Sequence, residues 1–460
     1  MRPLRRLFVL PALALLATSL SADTLFVPGN AATLSEAADL AQPGDRIVLR
    51  GAQPLGGTVL NDLTDIEILG KDGALLDAAG DDYALALSGC SGVRVRGLRL
   101  ANSASHGLFA VACDELDIER VRIDHAGFVG LLLSNCHGVR ITRLRVESSS
   151  GPSVSASEST DVELTRSQLN DSGGNGVLLF DARRVLVDRV RVTDSAGHGL
   201  FADDSLELEI TRNRFLRPGG SGVILDGNQQ ASLVRDNLVR AGNLDGISVS
   251  GSTTVVERNR IRDVQGFGLR LSGPADANLQ SRDNRIRNTV GNGLELTTSD
   301  QGSEGDRVRA VGGHGALVHG DGLNLTDLRV TQCALDGVHV QPAVAPFFNS
   351  ANVFDHVQVR KAGGHGFAVE QGTGTMLVSD CRVSGAQGHG MLLEDAGGTY
   401  DDNRVRGAGE NGIDVSSGNN LFRDNKVNGS SGLDLNDHPP SGQSNFFLGN
   451  DFGTGDPAPL

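Results

Sequence analysis

Imidazoles and carboxylates crowd one short part of this 460-residue chain. His314, Asp336, His365 and His389 each stand immediately before a glycine that opens an apolar run, at separations of 22, 29 and 24 residues (336−314, 365−336, 389−365). His319, His339, Gln341, Glu370 and Glu394 follow the same glycines by two or four positions. A histidine beside a carboxylate titrates near neutral pH, which suits general acid–base catalysis or metal binding. His339, His365, Asp336, Glu370 and His389 are therefore candidate catalytic residues. His339 or His365 is the candidate base, with Arg360 or Lys361 to neutralise a substrate anion. The competing expectation is that outward turn positions simply favour small polar stackers, as His106 and His198 show without comparable company.

Those residues meet only if the chain repeats. Aligned on a glycine followed by alternating apolar residues, it does so at Gly107, Gly130, Gly176, Gly199, Gly222, Gly246, Gly268, Gly293, Gly315, Gly337, Gly366, Gly390, Gly412 and Gly432, mostly 22 to 25 residues apart. Ser153 stands where one glycine is due. Each unit holds three short runs with period-two alternation, separated by Gly, Asn or Asp, which signals strands. A run that short cannot bury its own apolar face, but stacked coils bury every inward column. The expected fold is all-β: a right-handed, single-stranded parallel β-helix of about 16 coils of 22–25 residues with an N-terminal helical cap. In such a rod a residue acts through its column. The 29-residue coil before Gly366 carries the insertion QPAVAPFFNSAN, whose Phe347 and Phe348 are expected to wall the His/Glu strip.

Flanking segments complete the layout. Residues 1–22 read as a secretory signal, with three arginines, an apolar run from Leu7 to Leu16 and small residues near Ala22. Residues 23–50 form the cap, with a capping box Thr33–Glu36 opening a helix over Leu34–Ala41 and a strand over Ile47–Leu49. The β-helix covers 51–436, and 437–460 leaves the repeat as a C-terminal cap. No later apolar run reaches membrane-spanning length, so no transmembrane segment is expected. The location expected is the periplasm of a Gram-negative bacterium or the medium beyond. A formal charge of −15 argues against a nucleic-acid partner.

Three other columns stand out. Asn213, Asn237, Asn259, Asn284, Asn403 and Asn425 are expected at a tight turn, tolerating left-handed φ and bonding along the stack. Cys90, Cys113 and Cys136, 23 residues apart, stack as either one disulfide plus a thiol or three buried thiols. Arg120, Arg143, Arg166, Arg189 and Arg212 form one cationic column, and Arg122, Arg145, Arg191 and Arg214 lie in its neighbour. Such columns are either a binding track for an acidic polymer or solvated arginines paired with local acids.

The repeat, with the entry segment TLSEAADLAQPGDRIVL, resembles the pectate-lyase-like β-helix superfamily over essentially the whole mature chain. The tripeptide Gly-His-Gly belongs to the active-site signature of its pectin-degrading hydrolases. Here it occurs four times, and the companion NTD and RIK motifs are missing, so no hydrolase residue carries over. The resemblance implies an exported protein that binds or modifies an acidic polysaccharide by lyase or C5-epimerase chemistry, with Arg, Lys or Ca²⁺ neutralising the uronate. It equally implies a non-catalytic scaffold or periplasmic accessory, similar to the maturation protein of nitrous oxide reductase. Lack of Trp and only two Tyr weaken a sugar-stacking groove.

Overall fold

The computed structural model describes residues 22–453 apart from 54, 230, 252, 275–276, 298–300, 321, 343–350 and 396. The expected signal segment, save its last residue, and Phe347 and Phe348 lie outside the described residues. No helix among the described residues is long and apolar enough to cross a membrane.

The chain winds into three parallel ladders. The first runs from Thr58–Asn61 to Leu435–Asp437 through seventeen strands; the second starts with Thr24–Val27 and Arg46–Ala52 and has nineteen; the third ends at Asp451–Phe452. The rod therefore makes about eighteen turns, slightly more than the spacing of glycines suggested. The surplus comes from the ends. Phe446–Leu448 and Asp451–Phe452 pair with Leu421–Arg423 and Lys426–Asn428, so the described part of the expected cap after residue 436 adds two more strands to the rod. At the other end helix Leu34–Leu40 is capped by Thr33, whose Oγ1 accepts from the Glu36 N–H (3.2 Å). The Glu36 carboxylate accepts from the Ala32 N–H, one residue before the capping-box position.

Inward positions form one continuous core. Val338, Val340, Phe367 and Val369 are essentially inaccessible, while His339 between them faces out half-buried. The glycine frame has a steric cause. A Cβ on Gly366 would overlap a methyl of Val383 on the third ladder and the Gly390 carbonyl of the next coil, and Gly315 and Gly337 are confined alike. This corrects the last unit: Ile413 pairs with Leu435, so Asp434, not Gly432, occupies the frame position. Among the described residues no further first-ladder strand follows there to exclude a side chain.

The asparagine column is buried, but the left-handed residue is its predecessor. Arg212, Asp236, Arg258, Asp283, Asp402 and Asp424 have φ of 46–56°, whereas the asparagines themselves turn inward. Each Asn Oδ1 accepts the N–H of the coil before, as from Asn213 N to Asn237 Oδ1 (2.9 Å) and Asn237 N to Asn259 Oδ1 (3.0 Å). Their Nδ2 groups donate to inner carbonyls such as Ile210 O. The stack is a hydrogen-bonded zipper, and the strain of the turn falls on an exposed neighbour. Cys90, Cys113 and Cys136 are three buried free thiols, each hydrogen-bonded to main-chain carbonyls.

Asp306 takes an asparagine's place in this zipper. It is fully buried, accepts from Ser281 Oγ, Ser303 Oγ (2.7 Å) and the Asn284 N–H (2.7 Å), and burial raises its pKa to about 6. A carboxyl whose folded pKa lies above its unfolded value near 3.9 stabilises the fold at low pH and loses that contribution as pH rises through 6. Asp306→Asn should therefore raise unfolding stability by on the order of 2 kcal/mol at pH 8 and by little at pH 4. Urea denaturation at the two pH values checks this.

Candidate active site on the first ladder

From Asn175 onward, the residue before a frame glycine holds the coils together. Its side chain accepts the main-chain N–H of its counterpart one coil on: Asn175 Oδ1 from His198 N (2.8 Å), His198 Nδ1 from Ser221 N (3.0 Å), Asp245 Oδ1 from Phe267 N (2.8 Å). Phe267 interrupts the series, which resumes with Asn292 Oδ1 from His314 N (2.9 Å) and Asp336 Oδ1 from His365 N (2.6 Å). His365 Nδ1 then accepts from His389 N (2.9 Å), and His389 Nδ1 from Asn411 N (3.2 Å). The first glycine of Gly-His-Gly belongs to this contact. A Cβ on Gly388 would stand 2.7 Å from His365 Nδ1. The tripeptide is thus a splice between coils, in which one glycine admits the acceptor below and the other admits the valine and carbonyl beside it.

An Nδ1 that accepts a peptide N–H carries no proton. His365 and His389 are therefore neutral imidazoles with Nε2–H outward. Burial lowers the pKa of His365 further. The two rings stack at 5.1 Å and 5°, and His389 Nε2 lies 3.1 Å from Glu410 Oε2. His314 Nδ1 is 3.3 Å from the Asp336 main-chain N and 3.4 Å from Asp336 Oδ2. Since the peptide always donates, Nδ1 is the acceptor there too.

His339 is the opposite case. Its Nδ1 lies 2.7 Å from Asp336 Oδ2 and its Nε2 2.8 Å from Glu370 Oε1. Carboxylates only accept, so both ring nitrogens donate and the ring is an imidazolium. Burial opposes that charge, but the hydrogen bonds to Asp336 and Glu370 outweigh it and raise the pKa. Burial likewise pushes Asp336 up, and its contacts with His314, His339 and the His365 N–H outweigh it, holding the carboxyl well below its usual range. Glu370 is held low by Gln341, whose Nε2 donates to the same Oε1 (3.0 Å), and by His339.

His319 completes the group. It pairs in register with Gln341, one coil before Glu370, and is half-buried. Burial lowers its pKa, and among the described residues neither ring nitrogen has a hydrogen-bond or ion-pair partner. A neutral, free imidazole thus sits beside a fixed cation. His314, Asp336 and His339 also bring their ligand atoms within 4.8 Å of one another, as do His365, His389 and Glu410. Either trio has donors of the kind that bind a first-row transition metal better than Ca²⁺, which prefers oxygen.

The structure brings together Asp336, His339, Glu370, His365 and His389 as the column reading expected. Arg360 is not brought to them: it lies on the outer face of the third ladder, in a cavity of about 480 Å³ lined by Arg382, Arg404, Arg406 and Lys426. Arg122 is paired with Asp124 (2.8 Å) and Arg145 with Glu147, whereas Arg191 and Arg214, in the same column, meet no carboxylate among the described residues. Arg120 and Arg143 share Glu119, and Arg189 and Arg212 share Asp188. Sequence reading missed that the strip extends both ways. Arg270 meets Glu295 (3.3 Å), which accepts from Asn292 (3.2 Å), and Asn411 donates to Asp414 (2.6 Å). The signal was present, because Asn292/Glu295, Asp336/His339 and Asn411/Asp414 share one three-residue spacing across the frame glycine.

Replacing His365 by Ala leaves the His389 N–H without its acceptor and should cost about 1–3 kcal/mol. His365→Asn, which places the acceptor used at Asn292 and Asn411, should recover most of it. Chemical denaturation of the two variants checks the splice.

Comparison with known proteins agrees with this architecture. The model of the right handed beta helix region matches residues 106–254, 153–306 and 303–452. No curated protein matches the sequence. Similar solved structures include an alginate lyase from Paenibacillus sp. str. FPU-7 (15% identity, 57% of this chain and 94% of that one, TM-score 0.39). Others are the A-module of the Azotobacter vinelandii mannuronan C-5 epimerase AlgE4 (14%, 92% and 92%, 0.35) and the pectate lyase Pel9A (16%, 62% and 79%, 0.37). Likeness at that level is one of fold alone. With three overlapping matches spanning most of its length and every ladder parallel, the chain belongs to the right-handed β-helix family.

Proposed function

We propose that the first-ladder strip removes a proton alpha to the carboxylate of an acidic polysaccharide, the step common to uronate lyases and C5-epimerases. The observation that carries this reading is the neutral, unpartnered His319 beside the imidazolium His339. His319 takes the proton. The cationic His339 and the Gln341 amide offer donors to the uronate carboxylate, displacing Glu370, the more exposed of His339's two partners at 41% against 11% for Asp336. Asp336 holds His339 charged and in place. Neutralising the carboxylate lowers the cost of the carbanion-like charge that develops on it. The C–H electron pair then either expels the glycosidic oxygen at C4, leaving an unsaturated uronate, or takes a proton back on the opposite face. The base here is His319; His339 and His365 serve the charge and the splice.

A specific observation favours a second reading, a non-catalytic surface: His198, His365 and His389 all carry main-chain hydrogen bonds, a purely structural task.

Incubation with alginate, pectate and chondroitin sulfate, followed by absorbance of unsaturated uronates and proton NMR for epimerisation, decides between them. The expected result is turnover of one substrate that falls by about 10²-fold or more in His319→Gln. Absence of both signals at high protein load, or full activity in His319→Gln, overturns the proposal.

A further inference from the structure

The third ladder carries a feature that the strip does not use. Its first outward column reads, in register, Arg260, Arg285, Arg307, Arg329, then Gln358, Arg382, Arg404 and Lys426, and ends at an acid, Asp451. The column two residues on changes sign along the rod. In the N-terminal half it holds Asp124 and Glu147, which neutralise Arg99, Arg122 and Arg145. In the C-terminal half the same column holds Arg240, Arg262, Arg287, Arg309, Arg360 and Arg406. All of these cations are exposed. Only Arg240 and Arg404 lie within 4.0 Å of a carboxylate among the described residues, at 3.7 and 3.6 Å.

Two adjacent files of like charge at roughly 4.8 Å spacing repel one another. A chain with net charge −15 has acids to spare, yet the pairing device used in its first half is absent from the second. We propose that this face, about 34 Å long from Arg260 to Lys426 at that coil rise, binds an extended polycarboxylate polysaccharide lying along the rod. The occupant follows from the face. It bears no aromatic side chain, which single-stranded nucleic acid stacks on. It bears no apolar wedge of the kind that seats a protein in a membrane surface. Asp283, Asp327, Asp380, Asp402 and Asp424 flank it at the turn, opposing a polymer as charge-dense as duplex DNA. A chain with about one carboxylate per sugar meets one or two cations per coil and keeps clear of the acids. The face is separate from the His319 strip and holds its ligand whether or not that strip turns it over.

Binding of size-defined polymannuronate, measured by calorimetry at 50 and 300 mM NaCl, tests this. Arg285→Glu/Arg307→Glu/Arg329→Glu should weaken binding at least tenfold. Arg94→Glu/Arg140→Glu/Arg183→Glu, with the same change in net charge on paired arginines of the second ladder, should alter it less than twofold. The neutral triple variant Arg285→Gln/Arg307→Gln/Arg329→Gln should also bind at least tenfold more weakly, yet unfold at a higher temperature than the parent in low salt, since it relieves stacked repulsion. The proposal falls if the third-ladder variants bind like the parent, if binding ignores salt, or if anionic vesicles or single-stranded DNA bind tighter than polymannuronate at equal charge. Activity of His319→Gln is irrelevant to each of these readings, so failure here and failure of the catalytic proposal are distinct results.

Discussion

A side chain that accepts one main-chain N–H from the following coil underlies the first ladder. It closes the bend between third and first strands, where main-chain donors would otherwise be turned towards a crowded groove. Asn, Ser, Asp and His all serve; a glycine lies against the acceptor atom of Asn175, His198, Asp245, Asn292, Asp336 and His365, and a frame glycine follows each of these. Together with the steric exclusion at the frame glycines, this requirement for an acceptor aligns the outward columns and thereby brings residues far apart in sequence onto one strip.

The same requirement sorts the histidines by charge. Those between glycines spend Nδ1 on the splice and remain neutral, while His339, two residues past a glycine, is free to lie between Asp336 and Glu370 and becomes a cation. His319, four past a glycine, escapes both fates. Three imidazoles within two coils thus hold three different chemical states, set by their phase relative to the glycine. Charge on the third ladder follows another logic: whether the neighbouring column is acidic decides if an arginine is paired or offered to solvent.

Much of this was legible in the sequence. Period-two alternation and the glycine frame define the inward columns, because burial and steric exclusion act on residue type directly. The strip's membership followed from the same frame. What the letters could not show is which atom faces which. Asn213 and its kin look like left-handed turn residues, since Asn tolerates that conformation, but the buried zipper recruits their amides and the exposed predecessor takes the strain. Gly432 looks like a frame glycine, but the constraint that demands one vanishes at the last coil and Asp434 fills the place. His365 looks like a base until its Nδ1 is seen to be occupied.

The splice also has a direction. Every acceptor in it belongs to the earlier coil and every donor to the later one. Stripping a coil from the C-terminal end leaves an idle acceptor at a wet edge, which water satisfies at small cost. Stripping one from the N-terminal end leaves a peptide N–H with no acceptor in place. The buried asparagine zipper runs the other way, with its acceptors in the later coil and its donors in the earlier, so the loss of a coil from either end strands one set of peptide donors and neither end frays freely.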